Sequence, residues 1–338
     1  MEPQNQPLVV DGSVRFGRYD RPFPRVNLLE AANRLPRPVL RSRLKRWQAF
    51  QITSPGWFVN IALFHTGLLA LAQVKAFDRT SQRKVLFERQ LPPWAFDAPE
   101  QLLDSAMQWR GRGGSISFRN RLAQDRIEIA CDVDVGKGER LTIDAVANAS
   151  GLEPLVVAIP LRPGRAMYSQ KGILPVAGRI SCGDQQETWS EDDTALMMDD
   201  HRGFYGYVMR WDWLTTAVRQ TDGSWIGLNL TRNASRDPQR YNENACWVDG
   251  RCHALPPVCF ERSQTAGEER WVVRDDRGDV DLTFDVQVPG DLRLNALLIE
   301  SRYRGPFGRI NGVVRPAGAD PVAFDDVFGM GEQFYLRV

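Results

Sequence analysis

The sequence predicts an all-β protein of antiparallel sheets, arranged as barrels or sandwiches, with few short helices. Short runs of β-branched and aromatic residues recur along the chain and are separated by Gly, Asp, Asn and Pro. One run, Arg126 to Val133, alternates polar and apolar residues, which is the pattern of a half-buried antiparallel strand. Turn pairs such as Asp222-Gly223 and Asp249-Gly250 fall between runs and supply the positive φ angles of tight hairpins.

Two segments carry helix signals. The first runs from Val26 to Arg34. The second runs from Pro99 to Trp109, with Glu100 in its first turn and Gly111 after its end, which is the order expected for helix caps. We therefore expect one short helix at each place.

The most apolar window, Trp57 to Val74, has nearly the length of a membrane-spanning helix but is interrupted by Asn60, His65 and Gln73. Its content of Trp, Phe, Val and Ile favours one or two buried strands. The sequence therefore predicts no integral membrane span.

The length of 338 residues, with 43% hydrophobic residues, allows a sizeable core and suggests two domains. A seam is predicted between Pro160 and Tyr168, where prolines and a glycine interrupt a strand. Lys and Arg total 43 against 42 for Asp and Glu, so the whole-chain charge gives no argument for nucleic acid or an anionic membrane as a partner. A local basic cluster is interpreted as a solvated loop or face: Arg41, Arg43, Lys45 and Arg46.

The start of the chain, from Met1 to Asp20, lacks the basic and apolar regions of a signal peptide. Together with five cysteines, an odd number, this predicts reduced thiols and a cytoplasmic location. There is no C-x-x-C pair, and the three histidines are far apart, so we expect no metal site. The sequence also predicts that no cofactor takes part.

No familiar catalytic motif occurs, but the segment from Asp199 to Trp213 is dense in polar and aromatic residues. If it is extended, Asp200 and Arg202 share one face, and the guanidinium keeps the carboxylate ionised and oriented. Trp211 and Trp213 then share a face that suits the wall of an apolar pocket. The alternative is an inter-strand salt bridge beside core tryptophans.

A second candidate is Glu243, which lies between Asn242 and Asn244. Near apolar walls the pKa of this carboxyl would rise enough for acid catalysis, although asparagine side chains here also suit turn capping. Arg202 would lower the pKa of Asp200, which favours Glu243 as the acid. Lys171 is a candidate for contacting an anionic ligand group, with a solvated lysine as the alternative.

An ordered set of residues resembles the bacterial family named domain of unknown function 2804. The set spans nearly the whole chain and is densest from Lys171 to Glu332: Gly17-Arg18-Tyr19-Asp20 with Pro22 and Asn27; Lys45-Arg46-Trp47 with Pro55; Lys171-Gly172 with Pro175 and Gly178; Asp200-x-Arg202-Gly203 leading to Trp211-x-Trp213; Gly227-Leu228-Asn229; Glu243-Asn244 with Asp249-Gly250; and Phe307-Gly308 with Gly312, Gly329 and Glu332.

The resemblance extends to a wider group that includes carotenoid hydratases, tocopherol cyclase-like proteins and fungal Diels–Alderase-like cyclases. It implies two lipocalin-like antiparallel β-barrels packed side by side and a cavity for a lipophilic molecule. We accordingly expect an N-terminal barrel over residues 1–165 and a C-terminal barrel over residues 166–338.

The leading hypothesis is an enzyme for hydration, cyclisation or isomerisation of an unsaturated isoprenoid, acyl or polyketide molecule. Glu243 or Asp200 would donate the proton, with Arg202 orienting Asp200. Residues expected to bind the ligand are Trp211, Trp213, Tyr205, His201, Lys171, Asn229 and Asn244.

Two further hypotheses remain open. A carrier would have the cavity without a buried acid, and a structural protein would have barrels filled by their own side chains. An enzyme would place a desolvated Asp or Glu in the cavity wall.

Overall fold

Antiparallel strands make up most of the chain, as the sequence predicts. The computed structural model describes residues 1–32, 35–265, 267–296 and 299–337, and side chains are described outside 291–301. A small hairpin comes first, formed by β1 (Val9–Val10) and β2 (Ser13–Val14). The remaining strands form two curled antiparallel sheets, so the protein consists of two β-barrels side by side.

The first sheet takes its strands from the N-terminal part of the chain. Its order is β7-β6-β5-β4-β15-β13-β11-β10-β9-β8, while β12 pairs with β13 and β3, and β14 pairs with β13. The strand bounds are β3 Gly17–Tyr19, β4 Leu44–Thr53, β5 Trp57–His65, β6 Ala70–Asp78, β7 Arg83–Leu91, β8 Ser105–Gly111, β9 Gly114–Arg121, β10 Arg126–Gly136, β11 Glu139–Asn148, β12 Leu155–Arg162, β13 Arg165–Cys182, β14 Gln185–Trp189 and β15 Ala195–Phe204.

The second sheet follows without a return to the first. Its order is β19-β18-β17-β16-β26-β25-β22-β21-β20, with β24 paired to both β26 and β23. The strand bounds are β16 Val208–Arg219, β17 Trp225–Arg232, β18 Ala245–Val248, β19 Arg251–Ala254, β20 Cys259–Thr265, β21 Glu268–Arg274, β22 Val280–Val288, β23 Asp291–Ala296, β24 Ile299–Arg304, β25 Phe307–Val314 and β26 Val322–Arg337.

The chain passes from one sheet to the other between Phe204 and Val208, which is C-terminal to the predicted division at 165/166. Pro163 and Gly164 form the two-residue turn of the β12–β13 hairpin, and Gly164 has a φ of 67°. A proline-glycine pair suits a tight turn as well as a linker between domains. Here the pair forms a hairpin turn within the first sheet. The domain division itself stays a prediction.

Each sheet encloses its own apolar core, and alternation along the strands decides which residues enter it. In β10, residues 127, 129, 131 and 133 are buried and their neighbours lie outward, as its sequence predicts. The apolar window of the sequence forms β5 and the first half of β6. Within the described ranges, no helix is long and apolar enough to cross a bilayer.

A layer of apolar side chains joins the two barrels, so strands on this side are buried on both faces. β15 is one of them. Its residues Leu196 and Met198 pack into the first core, while Ala195 and Met197 pack into the layer between the barrels. The polar side chains in the second half of β15 therefore also alternate between these two faces.

The helix predictions were largely wrong. Leu28–Glu30 forms a 3₁₀ turn within the first predicted segment, of which Asn33 and Arg34 lie outside the described residues, and the α-helix α1 is Arg37–Arg43. The predicted helix over Pro99–Trp109 ends in a strand, because Met107 and Trp109 alternate with exposed Gln108 and pack into the first core. Cross-strand pairing of β8 with β9 outweighs the local cap signals here.

Candidate functional site

A cavity of about 250 Å³ lies between the two sheets. Both sheets contribute to its wall, which is mainly apolar and contains a small set of ionisable side chains. Such a wall suits an apolar ligand whose orientation is fixed by a few polar contacts. The lining residues that matter below are Trp47, Asn60, Leu68, Leu69, Lys171, Asp199, His201, Tyr205, Trp211, Trp213, Thr231, Asn233, Tyr303, Glu243, Glu332 and Phe334.

Lys171 is a buried cation in the cavity wall, with ionisable and aromatic groups around its Nζ. Its Nζ lies 2.6 Å from Asp199 Oδ1 and 3.8 Å from Glu243 Oε2. The Nζ also lies 4.7 Å from the centre of the Trp213 ring, which gives a cation–π contact. Lys171, Asp199 and Glu243 are each at least 94% buried by side chain, so one buried cation serves two buried carboxyls.

The strands explain why these groups meet. Lys171 and Asp199 are directly opposed on β13 and β15 of the first sheet, and Trp47 on β4 donates its Nε1–H to Asp199 Oδ2 at 3.0 Å. Glu243 comes from the loop before β18 in the second sheet. The carboxyl pair therefore exists only because the barrels are packed together.

The surroundings of Glu243 shift the pKa of its carboxyl. Burial raises its pKa, the Lys171 charge opposes this rise, and the negative charge of Asp199 adds to it. Asn233 donates to Glu243 Oε1 at 2.9 Å, whereas Oε2 has no hydrogen bond of acceptable geometry. The Ser169 hydroxyl also lies close to this carboxyl and, like Asn233, lowers its pKa, although the geometry of its Oγ falls short of a good hydrogen bond. Oε2 is therefore the oxygen of this carboxyl that is open to contact with a ligand.

Two further buried polar atoms in the cavity wall have no hydrogen-bond partner. These are Thr231 Oγ1 on β17 and Asn60 Oδ1 on β5. An unpaired buried polar atom costs free energy, typically about 1–3 kcal/mol. Their presence in a cavity wall is expected where a ligand or water supplies the missing partner.

Aromatic rings form the floor between the polar groups. Trp47 stacks on His201 with 3.9 Å between ring centres and an interplanar angle of 7°, and it lies 5.6 Å from Trp211. Trp211 in turn stacks on Phe334 at 4.0 Å. Such faces carry negative electrostatic potential and stabilise a positive charge that develops above them.

His201 and Tyr205 share a hydrogen bond between Nε2 and Oη at the edge of this floor. Burial, with the charges of Lys171 and Arg202, holds the pKa of His201 well below its usual range. Burial also raises the pKa of Tyr205 well above its usual range. Both groups are therefore neutral at physiological pH and act as polar contacts rather than charges.

A second carboxyl, Glu332, faces the cavity from β26. Trp211 Nε1 donates to Glu332 Oε2 at 2.5 Å, and burial raises the pKa of this carboxyl. Tyr303 lines the wall beside it, and Lys75 donates to the Tyr303 hydroxyl from behind. Burial lowers the pKa of Lys75 to about 7. The cavity thus has acid groups at two separate places.

Asp200 and Arg202 do not face this cavity. Arg202 Nη2 lies 3.1 Å from both carboxylate oxygens of Asp200, and Gln48 donates to Asp200 Oδ1 at 3.1 Å. The extended backbone predicted for this segment is confirmed, but the alternation places this pair toward the first core and its neighbours Asp199 and His201 toward the cavity. A catalytic role for Asp200 and Arg202 stays an untested prediction that this placement does not support.

The other predicted ligand contacts divide into two groups. His201, Tyr205, Trp211, Trp213 and Lys171 line the cavity. Asn229 and Asn244 support the wall instead, as the following bonds show. Asn229 accepts from Trp213 Nε1 at 2.6 Å and donates to the Glu243 carbonyl at 2.5 Å, and Asn244 accepts from the Thr231 amide at 2.7 Å.

Sequence reasoning missed Asp199, Trp47 and Glu332 as site residues. Trp47 and Glu332 belong to the set of residues that carries the family resemblance. The resemblance therefore pointed to both residues but did not indicate that they line a site. For Asp199 the sequence pattern has no distinguishing signal, because both faces of β15 are buried and alternation does not favour either face.

The family model described as "Domain of unknown function (DUF2804)" matches residues 2–337. No curated protein sequence matches this chain. The crystal structure of CghA is similar, with 12% sequence identity, 87% of this chain and 88% of CghA covered, and a TM-score of 0.51. The crystal structure of kievitone hydratase from Nectria haematococca matches with 10% identity over 87% of this chain and 88% of that chain, at a TM-score of 0.43. The similarity to CghA shows a shared fold.

Proposed function

We propose that this chain, which belongs to the DUF2804 family, is an enzyme that uses carboxyl acid/base chemistry on an unsaturated lipophilic small molecule. The reaction class is hydration, cyclisation or isomerisation without a redox cofactor. The observation that carries the proposal is Glu243, a buried carboxyl with a raised pKa and an unpaired Oε2 in the wall of an apolar cavity.

In the proposed reaction, the Glu243 carboxyl donates its proton to one carbon of a substrate double bond. The positive charge that develops on the neighbouring carbon is stabilised by the ring faces of Trp211 and Trp213. The cation is then discharged in one of three ways. Water adds to it and the resulting oxonium loses a proton, a second double bond of the substrate attacks it to form a ring and a new cation that loses a proton, or the first cation loses a neighbouring proton. These three endings give a hydrated, cyclised or isomerised product, and Glu243 recovers its proton in each.

Lys171 and Asp199 set the strength of this acid. The Lys171 ammonium stabilises the Glu243 carboxylate that forms on proton transfer, while Asp199 already occupies the shorter contact of that ammonium. Burial is the largest cause of the raised pKa of Glu243, and the two charges act on that pKa in opposite directions.

The cavity also constrains the substrate. Its volume of about 250 Å³ lies just below the ~300–1,000 Å³ common for sites of drug-sized ligands, which favours a compact molecule. The apolar wall favours a hydrocarbon body, such as an isoprenoid, acyl or polyketide skeleton. Asn60, Thr231 and Glu332 offer places for one or two oxygen atoms.

The first experiment is native mass spectrometry of freshly purified protein, followed by extraction and identification of any apolar molecule bound to it. That molecule and its close relatives are then tested as substrates. Glu243→Gln should lower turnover by about 100-fold to 10,000-fold while ligand binding is retained, because the amide cannot donate a carboxyl proton. Glu261→Gln, on the exposed surface of β20, is the matched control and should keep full activity.

The pH profile gives an independent readout. Because the protonated form of Glu243 is the active one, kcat/KM should fall as the pH rises through the raised pKa of this group. Turnover that survives in Glu243→Gln would contradict the proposal. Tight binding of an apolar molecule without any turnover of the unmodified protein would instead assign the chain to the carriers.

A further inference from the structure

One end of the cavity is lined by two exposed apolar side chains, Leu68 and Leu69. Both leucines line the cavity, yet they are 51% and 38% exposed, so the cavity reaches the surface at the β5–β6 turn. Within the turn, Thr66 Oγ1 accepts from the amide of Leu69 at 2.9 Å.

Two neighbouring segments are fastened to this turn. Neutral His65 bridges the first, because Nδ1 accepts from the Gly67 amide at 2.9 Å and Nε2 bonds the Pro93 carbonyl at 2.7 Å. The second is the junction of α1 and β4, where Lys45 Nζ at the start of β4 donates to the Thr66 carbonyl at 2.5 Å. Gly67 has a φ of 94° and lies against the Ser42 carbonyl, so no side chain fits between them.

Each fastened segment presents further apolar side chains to solvent. Trp94 follows Pro93 and is 82% exposed, and Val39 on α1 is also exposed. The link between the sheets adds Tyr207 and Val208 beside the start of β4, because Phe204 pairs with Leu44. We call these six residues the cavity rim: Val39, Leu68, Leu69, Trp94, Tyr207 and Val208. They are six of the nine large apolar side chains exposed in the described ranges.

Positive charge accompanies the cavity rim. α1 has exposed Arg37, Arg41 and Arg43 and contains no acidic residue, and exposed Arg210 follows Val208 in β16. The loop that carries Trp94 has three exposed acids, Asp97, Glu100 and Asp104. Glu100 is paired with Arg25 and Asp104 with Arg121. Tryptophan and tyrosine prefer the headgroup level of a bilayer, and exposed arginines near an anionic leaflet add attraction.

We propose that the cavity rim docks on a lipid surface that contains anionic headgroups, and that the lipophilic ligand enters the cavity from that surface. Separate protruding side chains on four short segments suit insertion among lipids, whereas a stable protein partner needs a continuous complementary surface of about 800 Å². The docking does not depend on the chemistry of Glu243. Glu243→Gln is therefore expected to bind lipid as the unmodified protein does.

The test is co-sedimentation with phosphatidylcholine vesicles prepared with and without phosphatidylserine. The unmodified protein should bind the anionic vesicles more tightly, and added salt should weaken this preference. Leu68→Ser should reduce the partition constant by about tenfold, because a leucine is no longer buried among lipids. Arg41→Ser should reduce it by about fivefold on anionic vesicles only.

Leu86→Ser is the matched control. Leu86 is 52% exposed, like Leu68, but lies in the middle of β7 away from the rim, so its replacement should not change binding. Equal losses in Leu68→Ser and Leu86→Ser, or no binding to either vesicle, would overturn the proposal. A dimer in solution that Trp94→Ser dissociates, without vesicle binding, would also overturn it and assign the rim to a second copy of the chain.

Discussion

The two faces of β15 each carry a buried ion pair, and the surroundings of the pairs differ. On one face Arg202 holds Asp200 beside Gln48 and the first core. On the other face Lys171 holds Asp199, but a third ionisable group, Glu243, shares the same cation. The first arrangement pairs one charge with one charge. The second has two carboxyls for one cation, and the carboxyl with the longer contact, Glu243, lines the cavity.

This difference shows what distinguishes a site from structural electrostatics in this protein. Both pairs are buried and both include a carboxyl, so neither burial nor pairing is sufficient. Unpartnered polar atoms do not separate the faces either, since Nε and Nη1 of Arg202 also lack a hydrogen bond. The cavity face differs because it joins groups from two barrels and places a surplus carboxyl in the cavity wall. An unbalanced charge set beside a cavity is where perturbed acids are useful for catalysis.

The largest expected effect is on the face without the cavity. Arg202→Met should lower the free energy of unfolding by about 3–5 kcal/mol, because Asp200 would remain buried without its cation. Urea denaturation measures this loss. Arg140→Met is the control, since the Arg140–Asp132 pair has both side chains about half exposed and should change stability by at most about 1 kcal/mol.

If Arg202→Met were no more destabilising than Arg140→Met, the Asp200 pair would not be a structural element of the first barrel. The comparison between the two faces would then fail, and Asp200 would regain interest as a functional group.

A charge change on the cavity face should alter the acid itself. Asp199→Asn should lower the pKa of Glu243, because a negative charge that favours its protonated form is removed. Lys171→Met should raise the same pKa for the opposite reason. Carbon-13 NMR of protein labelled at the glutamate carboxyl measures both shifts, with the Glu243 signal assigned by its absence in Glu243→Gln.

Asp200→Asn is the matched control for this titration, since it removes the same charge from the next residue of the strand but on the other face. We expect Asp200→Asn to leave the pKa of Glu243 unchanged. Equal shifts in Asp199→Asn and Asp200→Asn would mean that Glu243 does not distinguish the two faces.

The smallest expected effect separates two tyrosines. Tyr205 bonds His201 on the cavity side, and Tyr168 donates to Gln170 Oε1 at 2.9 Å on the other side. Replacement of either by phenylalanine should cost about 1 kcal/mol of stability, because one buried partner loses its hydrogen bond. Only Tyr205→Phe should change the affinity for N-phenyl-1-naphthylamine, a fluorescent apolar probe, since Tyr205 lines the cavity. Equal affinities in both variants would show that the probe does not reach His201 and Tyr205.

The sequence by itself determined the all-β class, most of the strands and the family. These features depend on local alternation, on turn residues such as Gly223 and Gly250, and on an ordered set of residues along the chain, all of which are readable without knowledge of contacts. The local signals failed at Pro99–Trp109, where a helix-like cap order precedes residues that pair as a strand.

The cavity and its acid were decided by tertiary structure. Glu243 was recognisable as a candidate, but its partner Lys171 lies 72 residues earlier and in the other barrel. A strand buried on both faces has no solvent side, so its pattern does not say which of Asp199 and Asp200 will face the other barrel. Only the packing of two sheets against each other fixes that direction, because the side chains that desolvate and share the charge come from both.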